Sequence, residues 1–246
     1  RLISYWASGY LDMFKNWDLA ASQRPDKIIS ISETVKERCL KYYKRESEVV
    51  YPGLDIGYWQ NIKYQISKIK TTDQISKILR NKKYFLVVSR LEPYKKVDLA
   101  IKVFNKLNKQ LIIVGEGSQA DKLKQIAGKN IIFLSKLSDV ELGSFYANAK
   151  ALIMPQEEDF GYVSLEAQFF GCPVIAYKKG GATETVKEGK TGIYFNNQTE
   201  QNLRSAIEKF DKIKYNLRNG MSKFGSSNIK RFDIKMFEKR FLSTLE

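Results

Sequence analysis

From Tyr84 onward the chain alternates between short, undiluted apolar runs and amphipathic stretches of helix length. The runs Tyr84–Ser89, Gln110–Val114, Asn130–Leu134, Ala151–Met154, Pro173–Ala176 and Gly192–Phe195 read as strands, bounded by Gly, Pro, Ser and Asn. Helices are predicted over Val97–Leu107, Gln119–Ala127, Asp139–Asn148, Tyr162–Phe170, Ala182–Val186 and Glu200–Phe210. A strand that is apolar at every position, rather than at every second one, is buried on both faces. The alternation therefore predicts an α/β fold: a doubly wound, parallel, Rossmann-like sheet over residues 84–210, with helices on each side. Ligands of such sheets sit at the carboxyl ends of the strands.

Ahead of Tyr84 the pattern is less regular. Asp26–Ser30 reads as a strand, Ser32 as the cap of a helix over Glu33–Tyr43, and Glu48–Tyr51 as a second strand ended by Pro52-Gly53. Residues 60–83 form a Lys-, Ser- and Ile-rich connector, partly helical. Two further helical stretches, Lys212–Phe224 and Phe232–Leu245, follow the sheet domain. The expected organisation is a partial Rossmann-like unit over 1–55, a link over 56–83, the sheet domain over 84–210 and C-terminal helices over 211–246. The first residue is Arg rather than Met, so the chain reads as a fragment or a processed product. Arg1–Trp17 has neither the long apolar core nor the cleavage site of a signal peptide, and no regular element is assigned to it.

Composition narrows the chemistry. Of 246 residues, 43% are hydrophobic and 13% aromatic, enough for a core and too many for a disordered chain. No apolar run approaches the roughly 18 residues of a membrane span. Histidine is absent, which removes His triads, His bases and His metal ligands. Cys39 and Cys172 make neither a disulfide framework nor a zinc set. The net charge of +15 divides into +7 over residues 1–83, +3 over 84–210 and +5 over 211–246. The basic residues are scattered rather than striped with stacking aromatics, so a solvated surface is favoured and no nucleic acid is expected.

Two segments carry the candidate chemistry. In Glu157-Glu158-Asp159-Phe160-Gly161-Tyr162-Val163-Ser164-Leu165-Glu166, three acids follow the fourth strand, a glycine opens a helix, and one more acid lies within its first turns. Amides of Phe160, Gly161 and Tyr162 at a helix N-terminus suit a phosphate, and carboxylates accept hydrogen bonds from sugar or ribose hydroxyls. For Glu157 and Asp159 the helix macrodipole is explanation enough; for Glu158 and Glu166 spacing leaves both readings open. The second segment is Ser89-Arg90-Leu91-Glu92-Pro93-Tyr94-Lys95-Lys96, after the first strand, whose cations can hold a diphosphate. Gly115-Glu116-Gly117 and Gly180-Gly181 are further loops where backbone can approach a ligand. No Walker sequence and no dinucleotide fingerprint is present, and three adjacent acids on one loop do not make a metal site, so no metal and no cofactor is expected.

Taken together, Arg90 with Lys95, Ile112–Gly117, Glu158 to Glu166, Gly171-Cys172-Pro173-Val174-Ile175-Ala176 and Gly180–Glu184 resemble the retaining group 1 (family 4) glycosyltransferases over roughly residues 26–210. The Glu-Asp-Phe-Gly form and Val-Ser-Arg-Leu-Glu-Pro-Tyr-Lys-Lys-Val-Asp look most like the mannosyltransferase branch. The resemblance implies the GT-B fold, a nucleotide-sugar donor (GDP-mannose or a UDP-sugar) and a glycan or lipid-linked acceptor. By the same resemblance Arg90 and Lys95 hold the diphosphate beside Ser89, Glu158 bonds the donor sugar and Glu166 the ribose. Phe160, Gly161 and Tyr162 lie against sugar and phosphate, and Ser135 and Lys136 lie near the base. Glu158, Arg90 and Lys95 are the residues expected to act in catalysis. The resemblance further implies a cytoplasmic protein of cell-surface polysaccharide synthesis, peripheral to the inner face of the membrane. The connector and the last residues are the candidate surfaces for anionic lipid. Only the end of the acceptor domain is recognisable here, so this chain is expected to bind donor and not to transfer alone. Alternatives are a non-catalytic donor-binding module, an epimerase of the same fold and a basic membrane-surface protein.

Overall fold

The computed structural model describes residues 2–68, 75 and 84–245. The chain opens on a helix, α1 (Leu2–Ser22), followed by a small parallel unit of β1 (Ile29–Ser30), α2 (Glu33–Tyr43) and β2 (Glu48–Val49). Ser32 caps α2, its hydroxyl accepting from the Val35 amide at 3.1 Å, as the sequence predicts. Next comes α3 (Ile56–Ile66), then the main sheet, with strands β3 (Phe85–Val88), β4 (Leu111–Val114), β5 (Ile131–Leu134), β6 (Leu152–Met154), β7 (Val174–Tyr177) and β8 (Gly192–Phe195). All are parallel, in the order β5-β4-β3-β6-β7-β8. The chain runs outward from β3 to β5, then returns beside β3 with β6. The connections diverge at that reversal, and the divergence opens a crevice at the carboxyl ends of β3 and β6.

Both faces of the sheet are covered, which is why its strands are apolar throughout. Leu86, Ile112, Leu152 and Val174 point to one face and meet Phe145, Tyr146, Leu165 and Ala167 of α6 (Asp139–Asn148) and α7 (Tyr162–Phe169). Phe85, Leu111, Ile113, Ile153 and Ile175 point to the other. There they meet α4 (Val97–Leu107), α5 (Ala120–Ile126) and α9 (Glu200–Gly220). A short helix, α8 (Ala182–Thr185), lies between β7 and β8. The start of α6 is a capping box: the Ser138 hydroxyl accepts from the Glu141 amide at 3.3 Å, and Glu141 accepts from the Ser138 amide at 2.8 Å.

Three expectations change. The opening residues, left without an element, form α1; its exposed Tyr10, Met13, Phe14 and Trp17 give no polar–apolar contrast that a sequence pattern would register. The link expected from residue 56 begins as α3, whose Trp59 and Ile62 are buried in the core beside α6, so residues 56–66 are part of the packed body. Residues 69–74 and 76–83 lie outside the described residues. Finally, the boundary expected between 210 and 211 falls inside α9. Phe210 and Leu217 are buried on one face of that helix, and no glycine or proline interrupts it before Gly220. A π-helical turn, Met221–Gly225, then leads into α10 (Ser226–Lys230) and α11 (Ile234–Ser243).

The end of the chain returns to the small opening unit. The Leu54 amide donates to the Phe232 carbonyl at 2.6 Å and the Ile234 amide to the Leu54 carbonyl at 3.1 Å. A buried polar network holds α10 against the last turn of α7 and the end of α8. Asn228 Nδ2 donates to Gln168 Oε1 and to the Thr185 carbonyl, both at 2.8 Å, and the hydroxyls of Ser164 and Thr185 meet at 2.7 Å. Asn228→Ala leaves the Gln168 oxygen without its donor, while the Thr185 carbonyl keeps the bond from Gln168 Nε2. The expected cost is about 2 kcal/mol, read as a fall in the urea midpoint at unchanged slope.

Candidate functional site

The loops after β3 and β6 flank the crevice, and each is held by the loop of the next strand outward. After β3, the Leu91 amide donates to the Glu116 carbonyl at 2.8 Å. The Glu92 carboxylate accepts from the Ser118 hydroxyl at 2.6 Å and the Ser118 amide at 3.0 Å, which hold it below the usual carboxylate range. A Cβ on Gly115 would stand 1.9 Å from the Ser89 carbonyl oxygen. After β6, Gly180 and Gly181 press in the same way: a Cβ on Gly180 would stand 2.3 Å from the Glu158 carbonyl oxygen, and one on Gly181 2.4 Å from Phe160. These glycines are thus required for the close packing of neighbouring loops.

Lys95 closes a short 3₁₀ turn, Pro93–Lys95, and reaches across the crevice to Glu158, Nζ to Oε1 at 2.5 Å. The same oxygen accepts from Gln156 Nε2 at 2.7 Å. Glu158 is followed by Phe160, which is buried, and by Gly161 at φ +90°, where α7 begins without a side-chain cap. The first amides of α7 are therefore unanswered by a capping side chain, as at a helix start that can receive a phosphate. In the second turn of α7, Glu166 accepts from the Tyr146 hydroxyl at 2.8 Å. Burial raises the Glu166 pKa and Asp139 adds to the rise, against the pull of Tyr146. Tyr162 turns its hydroxyl to the Gly53 carbonyl at 3.1 Å, so its side chain ties α7 to the link that follows β2.

Lys95 and Glu158 are thus brought into contact, with Phe160, Gly161, Tyr162 and Glu166 on the helix that follows. Arg90 is exposed at the rim and bonds the Tyr94 hydroxyl at 2.9 Å; Ser89 bonds the neighbouring Arg90 carbonyl, also at 2.9 Å. Ser135 and Lys136 are exposed at the end of β5, two strands from β3, and make no contact with the Lys95–Glu158 pair. A cleft of about 460 Å³ opens beside Glu158, lined also by Arg38, Tyr94, Lys96, Glu157, Asp159 and Gln198.

Arg38 was not legible as a site residue. It rises from α2, and its guanidinium bonds Glu157 Oε1 at 2.7 Å and Asp159 Oδ1. Lys179 approaches Glu157 from the other side at 3.1 Å. Burial works against ionisation of Glu157, but Arg38 and Lys179 outweigh it and hold the carboxyl below its usual range. The two acids read as helix-dipole partners are therefore anchors for the opening unit. Glu184 supplies a third anchor, accepting from the Glu33 amide at 3.0 Å and the Thr34 amide at 3.4 Å at the start of α2. Burial, with a bond to Glu184, pushes the Tyr51 phenol up to about 12. Arg38→Ala is expected to cost about 1 kcal/mol, since these ion pairs are partly solvated, read as a lower urea midpoint whose deficit shrinks in high salt.

Comparison with known proteins follows the same lines. The family model of the glycosyl transferases group 1 matches residues 68–227. An alpha-1,3/1,6-mannosyltransferase of Dictyostelium discoideum is 25% identical over 231 residues, covering 81% of this chain and 55% of its own. A GDP-mannose-dependent phosphatidylinositol monomannoside mannosyltransferase of Mycolicibacterium smegmatis is 31% identical over 138 residues, 49% of this chain and 36% of its own. Among solved structures, the HepE protein of Anabaena in complex with UDP-glucose superposes with a TM-score of 0.78 at 23% identity, over 94% of this chain and 66% of that one. The chain spans about half the length of the curated relatives it matches.

Proposed function

The chain belongs to the group 1 glycosyl transferases and has a Rossmann-like sheet of the GT-B type; from that premise we propose that it carries the nucleotide-sugar donor site of a retaining hexosyltransferase. The observation that carries the reading is the Lys95–Glu158 contact across the crevice, with the uncapped start of α7 beside it and the half-buried Glu166 one turn further on.

In this reading Lys95, Arg90 and the amides of Phe160, Gly161 and Tyr162 hold the diphosphate, with Ser89 in the same loop. Glu166 accepts from the ribose hydroxyls, Glu158 from the hydroxyls of the donor sugar, and Ser135 and Lys136 border the base. The anomeric carbon parts from the diphosphate through an oxocarbenium-like transition state. Lys95, Arg90 and the positive end of α7 meet the charge that develops on the departing oxygen. The acceptor enters on the face the diphosphate leaves, which retains configuration. Glu158 is ion-paired with Lys95 and hydrogen-bonded by Gln156, an environment suited to accepting hydrogen bonds and not to nucleophilic attack, so no hydrolase-like carboxylate pair is invoked.

GDP-mannose is the favoured donor, on the Glu-Asp-Phe-Gly form of the loop and on the two mannosyltransferases among the relatives. A UDP-hexose is the second reading, favoured by the UDP-glucose complex of HepE. The acceptor is a glycan or a lipid-linked sugar of polysaccharide synthesis, reached at the inner face of the cytoplasmic membrane. Among the described residues no helix is long and apolar enough to cross a membrane; salt-sensitive binding to anionic vesicles is the test of a surface location. The donor is tested by calorimetric titration with GDP, UDP and ADP and with GDP-mannose, UDP-glucose and ADP-glucose. Binding confined to one base names the donor. Binding of none of the six overturns the donor-site reading.

A further inference from the structure

Gln156 stands between the end of β6 and Glu158 and is only 3% exposed. Among the described residues its buried Oε1 has no hydrogen-bond partner. A buried amide with an unanswered oxygen is a poor space-filler, because a methionine of similar volume would carry no such deficit. Its nitrogen has a specific task. Nε2 donates to Glu158 Oε1 at 2.7 Å, and the orientation is forced, since the reversed amide would set oxygen against oxygen.

Two donors thus converge on one oxygen of Glu158, Gln156 from within the loop and Lys95 from across the crevice. Among the described residues Oε2 takes no hydrogen bond, and Glu158 lines the cleft. The other charged or titratable groups around it are engaged or outward. Glu157 and Asp159 bond Arg38 of α2, Lys179 of the β7 loop bonds Glu157, and Tyr94 and Lys96 line the rim. Lys95 is also a ligand of the diphosphate in the proposed site, and its flexible stem can follow that ligand. Gln156 is neutral, enclosed and unable to leave.

We propose that Gln156 is the positioning residue for Glu158, a role that rests on the donor-site reading: it fixes Oε1 whether or not Lys95 is drawn to phosphate, and so presents Oε2 to the hydroxyls of the donor sugar. Gln156 touches no substrate and acts through Glu158 alone.

The test compares affinities for UDP against UDP-glucose and for GDP against GDP-mannose by calorimetry. The readout is the ratio of nucleotide-sugar affinity to nucleotide affinity for the base that binds. Gln156→Met keeps the volume and removes the donor; the ratio is expected to fall about tenfold, with nucleotide affinity within about twofold of native. Gln156→Glu sets a second carboxylate against Glu158. The ratio is expected to fall near pH 8 and to recover as pH drops towards about 5, where the substituted carboxyl takes up a proton and donates as the amide did. A purely structural glutamine would show no such recovery. Nucleotide affinity that holds in both variants certifies the fold. Native affinity for nucleotide with an unchanged ratio in Gln156→Met overturns the inference alone. Absence of nucleotide binding by the native protein overturns the donor-site reading and this role with it.

Discussion

With an acceptor domain present to complete the transferase, Lys95→Ala is expected to lower the rate of sugar transfer, followed as release of nucleoside diphosphate, by about 10²–10³. In the proposed site the leaving group departs with charge on its terminal phosphate, and Lys95 is the enclosed cation at that point: its side chain is 12% exposed, whereas Arg90 stands at the rim. A cation in a water-poor crevice stabilises charge that develops there far more than one in bulk water. The same change costs little stability. Glu158 keeps the Gln156 bond and remains in reach of water at 20% exposure, so the loss is about 1 kcal/mol or less. Activity and stability thus separate. Loss of less than about fivefold in rate would remove Lys95 from the reaction, and collapse of the urea midpoint would make it a structural residue instead.

Glu166→Ala is expected to weaken donor binding about a hundredfold, for the loss of two hydroxyl-to-carboxylate bonds at about 1.5 kcal/mol each. Its conservative counterpart, Glu166→Gln, separates affinity from stability. The folded-state pKa of Glu166 is raised by burial, and by Asp139, above the about 4.3 of an unfolded glutamate. Between those two values the native state binds more protons than the unfolded state, so stability falls as pH rises. The deficit is complete above the folded pKa and absent below the unfolded one. Glutamine carries no charge to desolvate and still accepts from Tyr146. The expected result is a Gln variant at least as stable as native near pH 7, with the advantage vanishing below about pH 4, while donor affinity is reduced. A melting-temperature series across pH checks it. An advantage that grows on acidification would show that the carboxylate is stabilised, not strained, in the fold. A carboxylate kept in an unfavourable place is a familiar mark of a site that serves a ligand.

Strand identities, the parallel sheet, the Ser32 cap and the helix starting at Tyr162 were legible in the chain itself. Each depends on residues within a few positions of one another: a short apolar run, a hydroxyl three residues before an amide, a glycine ahead of a periodic stretch. The carboxyl-edge location of Lys95 and Glu158 follows from the same local alternation, because every strand of a parallel sheet ends on one side. The pairings that make the site were not legible. Lys95 bonds a residue 63 positions away, Arg38 one 119 away, and the Glu33 amide one 151 away. Glu157 and Glu158 are adjacent acids with nothing local to distinguish them; the fold turns one to Arg38 and Lys179 and the other to Lys95. That Gly115 and Gly180 are needed for contact with the neighbouring loop became visible only once the strand order set each against it. Local sequence determines which backbone conformations and caps are cheap, whereas charge partners and burial depend on which segments the closed sheet brings together. The chain therefore wrote its elements and the carboxyl edge of its sheet, and tertiary packing alone decided which carboxylate is anchored to Arg38, which is buried beside Tyr146 and which lies against Lys95.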